Sequence, residues 1–305
     1  MLAQKFPRPA AALGFAFLAA CSAQPPASSP SFGEAAVIEA NHRADAYLRS
    51  GNLESAARQY REAIRLAQSV EDAEGIAANA INLSIVYQRL GKLEDARASL
   101  VPLFEQSRLS FSADRLAQAA LRRSVLDLEE RRLASSNEWA DRAVSHCGQR
   151  GCAISGAIHN VKGQLALEAG RLDLAAASAK TALSASRASG DRTEAANALR
   201  LLGVTAIRTG NAGASTGYLV EALAIDRELA APRKIYLDLI GLGRASELRG
   251  DRAAARSFYE RARAVSEADR DAKGAAEARA LSEALGDKLQ TRQPTPASSG
   301  SNAGQ

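Results

Sequence analysis

Glycines recur along this chain at a fixed spacing. Gly51, Gly91, Gly170, Gly210 and Gly250 each follow an apolar stretch of helical period, and Arg131 stands where the missing member would fall. The intervals are 40, 40, 39, 40 and 40 residues. A constant interval of this size means a repeat array, in which each unit is a helix pair too small to bury its own apolar face. Seven residues before each anchor stand Ala44, Ser84, Ser124, Gly163, Gly203 and Gly243, and five after it Ala56, Ala96, Ser136, Ala175, Ser215 and Ala255. Antiparallel helices approach closely only where both crossing points carry minimal side chains, so these columns mark helix-helix contacts. Twelve after the anchor come Ala63, Ala143, Ala182, Ala222 and Ala262, with Leu103 the exception. Aromatics make up only 5% of the chain, which suits an interior of this kind. Between 38 and 286 nothing alternates in the manner of a strand, so the expected fold is all-α.

In the first unit Ala44, Tyr47, Gly51, Ala56, Tyr60 and Ala63 resemble the tetratricopeptide repeat pattern of small residue, Tyr, Gly, Ala, Tyr or Phe, and Ala. HEAT-type repeats have a similar length but lack this Gly turn with paired small positions. The resemblance covers residues 34–286 and implies a right-handed superhelical solenoid of about six helix-turn-helix units. The family's usual period is about 34 residues. The extra six are expected between the second helix of one unit and the first of the next, as in EDAEG at 71–75, although the family also includes a forty-residue variant with longer helices. Arg43, Arg123 and Lys162 replace apolar residues beside the small position, and Arg131 replaces the turn Gly, which makes repeats three and four the weakest. Residues 271–285 read as a polar capping helix, and 287–305, rich in Pro, Ser and Gly, as a disordered tail.

The N-terminus carries a different signal. Lys5 and Arg8 precede an apolar run over residues 10–20, too short for the roughly 20 residues that a bilayer span needs. This is the pattern of a secretory signal peptide. Leu18, Ala19, Ala20 and Cys21 resemble the lipobox of bacterial lipoproteins, which implies cleavage after residue 20 and acylation of Cys21. An ordinary secretory signal is the alternative. Residues 21–33 form a Pro/Ser-rich tether, and Ser22 resembles lipoproteins sorted to the outer membrane. The expected location is the outer membrane, lipid-anchored and facing the periplasm. Loss of Lys5 and Arg8 with the signal lowers the formal charge from +5 to +3, so no nucleic-acid partner is expected.

Cys147 and Cys152 flank a glycine-containing loop between repeats three and four and are expected to pair as a disulfide after export. A zinc site with His146 and His159 is the alternative. None of the histidines belongs to a nucleophile elbow, an H-E-x-x-H motif or a phosphate loop, so neither catalysis nor a resident cofactor or metal is expected.

In tetratricopeptide arrays the first helices line the concave face. The family's contact positions, transferred here, give Asn41, Asn82, Ile85, Arg122, Val125, Asn160, Gln164, Arg200, Val204 and Arg244 as the partner-binding groove. Amides beside aliphatic side chains suit an extended peptide or a partner helix. Of the family's chaperone-tail clamp only Asn82 and Arg122 are matched, while Asp45 would repel a carboxylate, so that ligand is not expected. The reading is a non-catalytic envelope lipoprotein acting as scaffold or assembly factor, and it resembles the pilotins, lipoproteins of six tetratricopeptide units. The alternative is a regulator or subunit of a cell-wall enzyme or outer-membrane assembly complex.

Overall fold

The computed structural model describes residues 32–105, 108–148 and 151–290. The expected signal peptide, Cys21 and nearly all of the tether lie outside them, as does the tail beyond 290. The described chain is an all-α array: α1 Phe32–Arg49, α2 Leu53–Ser69, α3 Ala73–Arg89, α4 Leu93–Ala98, α5 Ala113–Glu129, α6 Leu133–Cys147, α7 Ser155–Glu168, α8 Leu172–Ser189, α9 Arg192–Arg208, α10 Ala212–Glu228, α11 Pro232–Leu248, α12 Arg252–Ala268 and α13 Ala272–Gln290. Odd-numbered helices open the six repeats, even-numbered helices close them, and α13 caps the end.

Local chemistry sets these boundaries. Asn52, Asp72, Ser112, Asp191, Asn211 and Asp251 each accept a bond from the backbone N–H three residues on, between 2.9 and 3.4 Å, which satisfies a donor the helix leaves unpaired. Inside each repeat the first helix ends in a left-handed residue: Gly51, Gly91, Gly170, Gly210 and Gly250 have φ between 71° and 78°, and Arg131 adopts φ 60° in the same place. The Asn52 N–H returns to Tyr47 O at 2.9 Å and the Arg132 N–H to Asp127 O at 2.8 Å, so the Arg131 turn closes like the glycine turns.

The period is built as in the longer-helix variant of the family and not by the long linkers expected at 71–75. From α9 to α12 every helix has 17 residues and every connection three, so the extra residues lengthen the helices rather than the linkers. Likewise Ala73 and Gly75 belong to α3, because the Asp72 cap starts that helix at once. Helix also replaces the expected tether at 32–33 and the expected tail at 287–290, where Asp287 to Gln290 contain no helix breaker and the first proline is Pro294.

All twelve small residues at the two crossing columns are buried. A Cβ on Gly203 would come within 2.5 Å of Leu219 Cγ, and one on Gly243 would strike the Tyr259 ring. Ser124 and Ser136 face each other, and each donates its hydroxyl to the other's carbonyl, at 2.7 and 2.8 Å. Fully buried Tyr60 and Tyr259 donate their hydroxyls to Asp45 and Glu247.

Repeat two departs from the pattern. Its second helix, α4, stops after six residues, and a 3-10 turn over Val101–Leu103 carries the chain onward, with Pro102 unable to supply the N–H a longer helix needs. The turn places Leu103, the exception in the twelve-after column, in the core at 3% exposure. Downstream, Phe104 packs against Trp139 with ring centroids 4.8 Å apart. Cys147 ends α6 and is bonded to Cys152 just before α7, with Cα atoms 5.0 Å apart. The thiolates that the zinc alternative requires are therefore not available.

Candidate partner-binding groove

First helices of successive repeats are tied to one another side by side. Asn41 donates to Asn79 Oδ1 at 2.7 Å, joining α1 to α3. Arg122 reaches back from α5 to Ser84 on α3, with bonds of 3.2 Å to its hydroxyl and its carbonyl, and at 2.5 Å to Gln88 Oε1. Asn160 joins α7 to the backbone oxygen of Glu194 at 2.9 Å and to its Oε2 at 2.7 Å. Arg200 joins α9 to Asp238 on α11 at 2.7 Å and also binds Asp226 on α10. These bonds fix the register between repeats and leave aliphatic side chains between them.

The result is one cleft of about 440 Å³ running across α5, α7, α9 and α11. Its aliphatic wall is Leu121, Val125, Leu128, Val161, Leu201, Val204 and Leu237; its polar groups are Asn160, Gln164, Glu194, Asn197, Arg200 and Lys234. Five of the ten expected groove residues therefore meet here: Val125, Asn160, Gln164, Arg200 and Val204. Asn41 lines a second recess of about 280 Å³ at the N-terminal end, with His42, Asn79 and Arg115. Asn82 and Ile85 are half-buried on α3 and line neither cavity, and Arg244 is half-exposed, 3.9 Å from Glu277.

Two arginines read as ligand contacts are engaged within the protein. Arg122 is spent on Ser84 and Gln88, and burial lowers its pKa below the usual arginine range. The guanidinium of Arg200 lies between two carboxylates with side-chain exposures of 2% and 0%, and also donates to Asn197 Oδ1 at 2.9 Å. Burial, reinforced by Asp226 and opposed by Arg200, pushes Asp238 up to about 7. One cation facing two buried carboxylates leaves a negative charge that a proton neutralises.

Glu194, Asn197, Lys234 and Leu237 were absent from the expected set. Counted back from Gly210 and Gly250, Asn197 and Leu237 stand thirteen residues earlier and Glu194 and Lys234 sixteen, one and two turns before the position that Arg200 occupies, on the same face. Extending the inward stripe by the helical period would have found them. The cleft offers apolar surface, amide groups, the Lys234 ammonium, the Arg200 guanidinium and the Glu194 carboxylate, a combination suited to ligand recognition. Among the described residues no group of three or more His, Cys, Asp or Glu is placed to hold a metal ion. Nor is any described helix long and apolar enough to cross a membrane.

A family model described as tetratricopeptide repeat matches residues 34–101. No curated protein matches the sequence. Among solved structures, the Rap protein complexed with competence and sporulation factor aligns with a TM-score of 0.60 at 11% identity, over 84% of this chain and 72% of that one. PilW, a widely conserved type IV pilus biogenesis factor, gives 0.55 at 18% identity over 75% and 92% of the two chains. The pilF protein of Pseudomonas aeruginosa gives 0.50 at 15% identity over 73% and 100%. At such identities the likeness is one of fold.

Proposed function

We propose that this chain, a solenoid of tetratricopeptide-repeat type, is a non-catalytic envelope lipoprotein that holds an extended segment of a protein partner in the α5–α11 cleft and so serves as scaffold or assembly factor. The carrying observation is the cleft itself: four consecutive first helices contribute aliphatic walls with interleaved amides, the combination that takes up both the side chains and the backbone of an extended segment. The lipobox-like Leu18 to Cys21 supports an anchor at the membrane surface. A Cys147–Cys152 disulfide suits an oxidising compartment such as the periplasm. The specific form we favour is a role in pilus or secretion machinery, and the fold shared with PilW, a type IV pilus biogenesis factor, supports the pilus form.

Two measurements test this reading. A photo-crosslinker at Gln164 should capture a discrete envelope protein that the same group at exposed Lys180 on α8 does not; identical adducts from both positions would reject the cleft. Palmitate labelling should disappear in Cys21→Ser, and unchanged labelling would reject the anchor.

A further inference from the structure

The polar groups of the cleft are unequally satisfied. Arg200 has used its donors on Asp226, Asp238 and Asn197. Lys234, half-buried on α11, has not: its ammonium donates to Asn197 Oδ1 at 2.8 Å and forms no ion pair among the described residues. Burial, with Arg200 adding repulsion, lowers its pKa. On the other side of α9, Asn160 is 9% exposed, and while its amide nitrogen is taken by Glu194, its Oδ1 has no partner. A buried carbonyl oxygen without a donor is destabilising, and a ligand that donates to it relieves that cost.

These two unsatisfied groups have a fixed relation. Asn160 bonds to Glu194 and Lys234 to Asn197, and those two residues are one turn apart on α9. A segment crossing α9 therefore meets an orphan acceptor on its α7 side and a spare cationic donor on its α11 side, with Val161, Val204 and Leu237 beside them. Arg200 is committed to Asp226 and Asp238, and Lys234, which also feels the Glu194, Asp226 and Asp238 carboxylates, is the cation of the cleft left without an ion pair among the described residues. A single unpaired ammonium beside those carboxylates suits one negative charge and opposes a dianion such as phosphate.

We propose that the segment bound here is acidic: it sets one carboxylate on the Lys234 ammonium and one main-chain N–H on Asn160 Oδ1, flanked by apolar side chains against the aliphatic wall. This rests on the cleft being the partner site. The carboxylate belongs either to an Asp or Glu side chain or to a chain terminus, and the two are separated by experiment.

The probe is a pair of displayed random peptide libraries of about 12 residues, long enough in extended form to cross four helices at about 10 Å each. One library ends in a free carboxyl terminus and the other is embedded between fixed flanks. Both are selected on the purified full chain and on Lys234→Met, Lys234→Arg and Asn160→Leu. The full chain should enrich Asp or Glu at one register from the embedded library if a side chain is read, and bind only from the free-terminus library if a terminus is read. Lys234→Met should keep the apolar preference, lose the acidic one and bind the selected peptide at least about tenfold more weakly, with Lys234→Arg retaining most of the affinity. Asn160→Leu should weaken all selected peptides alike. Thermal melts establish that each variant is folded. Embedded-library peptides enriched without Asp or Glu, or equal binding by Lys234→Met, would overturn the acidic-segment proposal and leave the cleft standing. No enrichment by any folded variant would reject the cleft as a peptide site, and this proposal with it.

Discussion

Arg131 and Gly203 sit at opposite extremes of what a backbone position asks of its side chain. Arg131 occupies a left-handed turn at φ 60°, where a Cβ costs about 1–2 kcal/mol, and its exposed pairing with Glu168 at 3.1 Å returns little. Arg131→Gly should therefore stabilise the chain by about 1 kcal/mol, read as a higher urea midpoint. Gly203 is the reverse: in an open helix Gly→Ala is favourable, but here the added methyl meets Leu219, and overpacking of about 1–3 kcal/mol outweighs propensity. Gly203→Ala should lower the midpoint. Asp238 sets a pH dependence. Its folded pKa lies above the unfolded value, so the folded state holds its proton more tightly and loses that advantage as pH rises from about 4 to about 7. The stability difference between the natural chain and Asp238→Asn should fall across that window, measured by denaturant titration at several pH values; a rising difference would contradict the assignment. The small-residue columns were legible from spacing alone, because every repeat demands them. The Arg200–Asp226–Asp238 group was not: Arg200 reads as a groove contact and nothing marks out Asp226 or Asp238 until the stacking of repeats brings three helices to one point.

Two junctions carry the irregularities of the array, α4 with its 3-10 turn and the α6–α7 loop. Without the Cys147–Cys152 bond, a sequence separation of 5 leaves a short loop to be closed by packing alone. The chain-entropy relation puts the bond at about 2 kcal/mol. Cys147→Ser with Cys152→Ser should lower stability by that amount and raise hydrogen exchange at the end of α6 and start of α7 ahead of α9 to α12, as mass spectrometry would register. Helix identity and order were readable here, since glycine turns and Asn, Asp or Ser caps punctuate the sequence. Helix length was not, because the longer period fits lengthened helices as well as long linkers, and only the immediate capping of α3 by Asp72 decides between them.

Across the whole molecule each repeat contacts chiefly its neighbours, so stability is close to a sum of unit and interface terms, and the ends need polar closure. Ala278 and Leu285 of α13 complete the last cluster with Tyr236, Leu239 and Tyr259. Truncation after Arg270 would bare that surface, and light scattering should show association at concentrations where the full chain stays monodisperse. The equal spacing noted first has one more consequence, for how such a chain changes length. The segments 211–250 and 251–290 begin alike, Asn211 and Asp251 each accepting a backbone N–H at 3.0 Å directly after a left-handed glycine. A tandem copy of 211–250 would bring Gly250 against a second Asn211, a seam chemically like the one already present. Genetic duplication or loss of whole units can thus lengthen or shorten the protein while every surviving interface keeps its fit.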